Sequence, residues 1–212
     1  GGILHIETPP EHLVMSGGLF HGFQLWVNLP AEKKWSKPAY QDLRASDVKL
    51  LASSDGGTLI RVIAGEVAGH VGPGSTQTPI SIVHATLAPG AKLELPWNKN
   101  YNALVYTLNG YGTVGESKQP VQMGQLAVMG DGDTLIIQAD PTQESRSPEM
   151  DVLILGGQAI KEPVAWMGPF VMNTKAEVLK AFEDFQKGLL GTIPATDITG
   201  VHGAPTELIK GS

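Results

Sequence analysis

The sequence predicts an all-β chain built from antiparallel β-barrels, the first of them incomplete, with a single helix near the C-terminus. Three observations carry this reading. Twenty-six Gly and fifteen Pro cut the 212 residues into many short apolar runs, the pattern of sandwiches and barrels. Helical periodicity is scarce outside one late window. At this length, 42% apolar residues are enough to fill one large β core or two small ones.

Strands are expected over residues 2–7, 20–29, 58–65, 80–87, 91–95, 103–109, 112–115, 125–129, 134–138 and 151–155. Most of these end in Gly, Pro, Asn or Asp, which break a ladder or turn the chain. Residues 30–54 are more polar, carry Lys33, Lys34, Lys37 and Lys49, and read as a linker. The chain then divides into residues 1–46, the end of a first barrel with its linker, and residues 47–212, a second barrel with the helix. Within the second set, Leu87-Ala-Pro-Gly-Ala91 and the Asn109-Gly110 turn separate hairpins. The helix starts at a capping box, Thr174 with Glu177, places Val178, Leu179, Phe182 and Phe185 on one face, and ends at Gly188.

Charge and composition exclude several classes. Fifteen Lys and Arg against 21 Asp and Glu leave a formal charge of −6, which repels a phosphate backbone, so direct nucleic-acid binding is not expected. The absence of Cys removes disulfides, thiolate ligands and thiol nucleophiles and points to the cytoplasm. No run approaches the roughly 18 apolar residues that span a bilayer, so no membrane role is expected. The first residue is Gly, and residues 1–7 already read as strand interior, so an upstream N-terminal fragment is expected.

His5 and Glu7 stand two apart in an expected strand, which aims an imidazole nitrogen and a carboxylate oxygen from one face. Such a mixture suits Fe(II), Mn(II) or Zn(II). A solvated pair or a hydrogen-bonded core histidine gives the same pattern. His12 sits in a loop context beside Pro9, Pro10 and Glu11, and reads as solvated. His21 reads as a packed core histidine, or as a hydrogen-bond partner behind the metal ligands. His70, His84 and His202 have no carboxylate or His at strand spacing and read as structural. Gly110-Tyr-Gly-Thr-Val-Gly115 fits a dinucleotide pattern but is followed by no helix, so it reads as a hairpin turn. Gly130-Asp-Gly-Asp133 lacks the closing Glu of a calcium loop and also reads as a turn.

Several segments together resemble the pirin family of two-cupin proteins. They are Gly1-Gly-Ile-Leu-His-Ile-Glu7, His21-Gly-Phe-Gln-Leu-Trp-Val-Asn-Leu29, Glu162-Pro-Val164 and Gly168-Pro-Phe-Val-Met-Asn-Thr174. The resemblance implies two stacked β-barrels and an iron in the first, held by three His and one Glu. His5 and Glu7 match two of those four ligands. The other two belong to a His-x-His motif that would lie before Gly1. In the second barrel, Leu95-Pro-Trp97 stands where such a motif would be, which fits the metal-free second cupin of the family, and Trp97 and Tyr101 read as packing.

The resemblance further implies an iron-dependent dioxygenase of the quercetin 2,3-dioxygenase type, acting on a flavonol-like molecule. Glu7 would be a metal ligand or the base that accepts the substrate's hydroxyl proton, and His5 a ligand. The alternative it implies is a non-enzymatic, iron-dependent protein that docks on a transcription regulator or metabolic enzyme, nuclear in a eukaryote. With two ligands missing, little activity is expected of this chain by itself.

Overall fold

The expected alternation is clearest over Ile80–Leu87. There Ser81, Val83, Ala85 and Leu87 are buried, while Ile80, Ile82, His84 and Thr86 lie half-buried on the opposite face. A computed structural model describes residues 2–5, 9, 11–143 and 148–193. Its strands are β1 (Leu50–Ala52), β2 (Thr58–Ala64), β3 (Glu66–Val67), β4 (His70–Val71), β5 (Ile80–Leu87), β6 (Lys92–Pro96), β7 (Tyr101–Asn109), β8 (Tyr111–Val114), β9 (Gln119–Gln122), β10 (Leu126–Val128), β11 (Thr134–Ala139), β12 (Met150–Gln158), β13 (Ala165–Met167) and β14 (Phe170–Met172). Two helices, α1 (Glu11–Ser16) and α2 (Lys175–Gln186), flank them.

Two antiparallel sheets make the larger compact unit, residues 28–34 and 39–163. One has the order β1-β2-β5-β12-β7-β10 and the other β6-β11-β8-β9. Their inner faces share a single core in which Leu87, Val83, Val105, Ile137, Met150 and Ile154 are fully buried. Each such side chain contributes about 1.5–3 kcal/mol by leaving water.

The Asn109-Gly110 corner is not a hairpin turn. β7 and β8 belong to different sheets, and Gly110, with φ 75°, carries the chain across from one to the other. That φ is strained for any side chain, and a Cβ there would also lie 3.0 Å from the Glu149 carbonyl oxygen. Gly110 to Gly115 is likewise β8 itself rather than a turn. The hairpin turn follows it, where the Lys118 amide donates to the Gly115 carbonyl at 3.1 Å.

The expected linker is more ordered than its composition implies. Gln41 Nε2 donates to the Pro73 carbonyl at 2.9 Å, and the Ser75 amide donates to Gln41 Oε1 at 2.8 Å. Residues 50–52 then pair with β2 as a sheet edge.

The second compact unit groups the described residues up to Val27 with Trp35–Pro38 and those from Val164 onward. Helix α2 packs with the β13–β14 hairpin in this unit. Phe170 meets Phe182 edge-to-face with centroids 4.8 Å apart. The capping box forms: Glu177 N donates to Thr174 Oγ1 at 3.2 Å and Thr174 N to Glu177 Oε2 at 2.8 Å. Val178, Ala181 and Asp184 form the buried stripe, whereas Leu179 and Phe185 of the expected face are exposed.

The strands expected over 2–7 and 20–29 are absent among the described residues. Residues 2–5 and 20–29 have no ladder partner, and Leu19, Phe20, Phe23, Trp26 and Val27 are exposed. Alternation prepares a strand, but a strand exists only where a neighbour takes its N–H and C=O groups. No described helix is long and apolar enough to cross a membrane.

Candidate functional site

His5 lies exposed in an irregular segment, and the preceding Gly2 abuts Leu190 so closely that a Cβ would sit 2.5 Å from Leu190 Cδ2. Glu7 lies outside the described residues, as does His202. Among the described residues, no three His, Cys, Asp or Glu side chains gather where they could hold a metal. One imidazole does not make a metal centre, so the described residues alone do not fit an iron ion. His21 is not a core histidine. It is exposed, with its ring 5.8 Å from that of Phe23. His12 is exposed, as expected, but on helix α1 rather than in a loop, and His70 is exposed on β4.

His84, expected to lack a carboxylate partner, has one on the neighbouring strand. Asp151 Oδ1 lies 3.4 Å from His84 Nε2 and accepts a hydrogen bond from Thr86 Oγ1 at 2.7 Å. Arg61 Nη1 stands 3.3 Å from His84 Nδ1. Arg can only donate, so Nδ1 accepts and the Nε2–H points to Asp151. The His84 hydrogen bond, then that from Thr86, holds the Asp151 carboxyl below its ordinary range, against the opposing effect of burial. With both ring nitrogens engaged, His84 is a structural link across three strands and not a free base. No spacing in the sequence announces it, because β5 and β12 meet only through the sheet.

Among the cavities that the described residues of the larger unit line are the following two. One, of about 500 Å³, lies beside β8, β9 and β10. The other, of about 400 Å³, sits at the end of the barrel where β3, β5, β6 and β7 meet. Its wall includes Glu66, Thr76, Ser81, Trp97, Asn98 and Tyr101. Trp97 is 8% exposed, and its Nε1 points to the Asn102 carbonyl at 3.4 Å. Trp97 and Tyr101, read above as packing, thus also form part of a cavity wall.

A barrel of two antiparallel sheets around one core, open at an end, has the architecture of a cupin. Residues 82–191 match the model of the pirin C-terminal cupin domain, and the chain belongs to the pirin family. It is 37% identical over 191 residues to a pirin-like protein of Solanum lycopersicum, a match covering 90% of this chain and 62% of that protein. It is 34% identical over 193 residues to pirin of Homo sapiens, with 90% and 62% covered. Among solved structures, a quercetin 2,3-dioxygenase from Acinetobacter baumannii matches with a TM-score of 0.72 and 33% identity, over 80% of this chain and 56% of that one. The chain thus spans about three-fifths of the length of the curated relatives it matches.

The residues that carry the resemblance have physical tasks. Glu162 Oε2 accepts from the Ala31 amide at 2.7 Å, holding the turn that follows residue 29. The segment from Gly168 to Thr174 forms the β13–β14 turn, β14 and the cap of α2.

Proposed function

We propose that the chain is part of an iron-dependent dioxygenase of the quercetin 2,3-dioxygenase type, in which His5 and Glu7 are two of the ligands to ferrous iron and the substrate is a flavonol-like molecule. The observation that supports this most is the 33% identity and TM-score of 0.72 with a quercetin 2,3-dioxygenase over 80% of the chain. The remaining ligands would come from the length that relatives have and this chain lacks, so the described residues assign no step of the reaction. The test compares oxygen uptake with quercetin by an iron-loaded protein of the relatives' full length, its metal-free form and the present chain. Uptake by the first alone is expected, with iron content falling on His5→Ala. No uptake above the metal-free control overturns the enzyme reading and leaves an iron-dependent protein that docks on a regulatory partner. Full turnover by the present chain overturns the argument that ligands are missing.

A further inference from the structure

We propose that the open end of the second barrel binds a small organic cation: an amine whose charged head lies at Glu66 and whose apolar or aromatic body lies along Pro79, Ile80, Trp97 and Tyr101. The cavity of about 400 Å³ is within the range that small ligands occupy. Its wall holds one ionised group. Glu66 is the only charged side chain in it, with no Lys, Arg or His, and Glu66 forms no ion pair among the described residues. An anion placed there would be repelled by the carboxylate, whereas a cation would be attracted to it. Trp97 and Tyr101 supply the aromatic surface against which the ligand's apolar body packs. Thr76, Ser81, Asn98 and Tyr101 add oxygen acceptors for an ammonium group.

The site is also built in advance. Glu66 stands on the β3–β4 hairpin, whose two-residue turn has Ala68 at φ 50° and Gly69 at φ 76°, the left-handed pair such a turn requires. Gly65, at φ 77°, brings the strand so close to β5 that a Cβ would lie 2.0 Å from the Ile80 carbonyl oxygen. The Gly72 amide donates to Gly65 at 2.8 Å and the Gly74 amide to Ile63 at 2.9 Å. Those bonds, with the Gln41 clamp on Pro73 and Ser75, fix the rim. The backbone that carries Glu66 is thus held before a ligand arrives, which limits the ordering cost of binding to side chains.

The experiment titrates the full chain with benzylamine, benzyl alcohol and benzoate, which share a ring and differ in charge, and follows backbone amides and the Trp97 indole N–H by NMR. Benzylamine is expected to move the signals of Glu66, Val67, Ala68 and Trp97 and to bind about tenfold more tightly than benzyl alcohol, with benzoate inert. In Glu66→Gln the advantage of benzylamine over benzyl alcohol disappears while benzyl alcohol binds as before. Because Glu66 is exposed, the variant keeps the fold, and its unperturbed spectrum checks this. Equal affinity for the three compounds, an unchanged preference in Glu66→Gln, or no movement of these signals with benzylamine overturns the proposal.

Discussion

Replacing Asp151 by Asn tests whether the link across β5 and β12 depends on charge. Asp151 Oδ1 takes a short hydrogen bond from Thr86 at 2.7 Å and a longer contact from His84 at 3.4 Å. Asn keeps the oxygen acceptor and loses the charge. A hydrogen bond to a charged group contributes about 1.5–3 kcal/mol and a neutral one about 0.5–1.5, so the short bond loses about 1 kcal/mol. The longer contact adds little. With its side chain 25% exposed, Asp151 is partly screened by water, which keeps the loss at that size. For a chain of this length the melting temperature should fall by about 2–4 °C.

The pH dependence has a definite sign. The folded carboxyl titrates below its unfolded value, so its contribution is complete above the unfolded value of about 3.9 and vanishes as pH falls through the folded one. Wild type and Asp151→Asn should therefore differ near neutral pH and converge in acid. Urea denaturation read by tryptophan fluorescence checks this, because Trp97 is buried in the larger unit whereas Trp26, Trp35 and Trp166 are exposed in the other. A gap that persists in acid, or none near neutrality, refutes the charge argument.

Two further substitutions probe the frame. Ile137, fully buried on β11 between β6 and β8, should cost about 2–5 kcal/mol as Ile137→Ala, seen as a lower urea midpoint of the larger unit with an unchanged slope. Thr174→Ala removes the oxygen that accepts from the Glu177 amide and should destabilise α2 by about 1 kcal/mol, read as faster hydrogen exchange at Glu177 and Val178. Thr174→Ser should restore protection, and equal exchange in all three would show that the cap is idle.

The second barrel was largely legible. The strand read over 80–87 is β5 residue for residue, and 91–95 differs from Lys92–Pro96 by a single position, because inward Val83, Ala85, Leu87, Leu93 and Leu95 alternate with outward polar or half-buried residues. The strands that escaped, β1, β3, β4, β9, β13 and β14, have two to four residues, too few to show a period. Pairing was not legible at all. Thr86 and Asp151 are 65 positions apart, and no local pattern says that β7 and β8, neighbours in sequence, go to different sheets. The helix start was legible because a cap is a local bond, whereas its buried face was misread by one step toward Leu179. Of the candidate site, the His5-x-Glu7 pattern offers two donor types, of which the described residues include His5 alone. The cavity at Trp97 could not be read, since its wall is collected from five separate stretches of chain.

The position of β12 in the larger sheet bears on how the protein is made. This strand is among the last of its unit to leave the ribosome, yet it sits between β5 and β7. Until Met150–Gln158 emerges, β1, β2 and β5 form one partial sheet and β7 with β10 another, each with an open inner edge that invites pairing with other chains. The nascent polypeptide is therefore most exposed to aggregation just before its central strand is synthesised, and a stop within β12 would leave both halves without the strand that joins them.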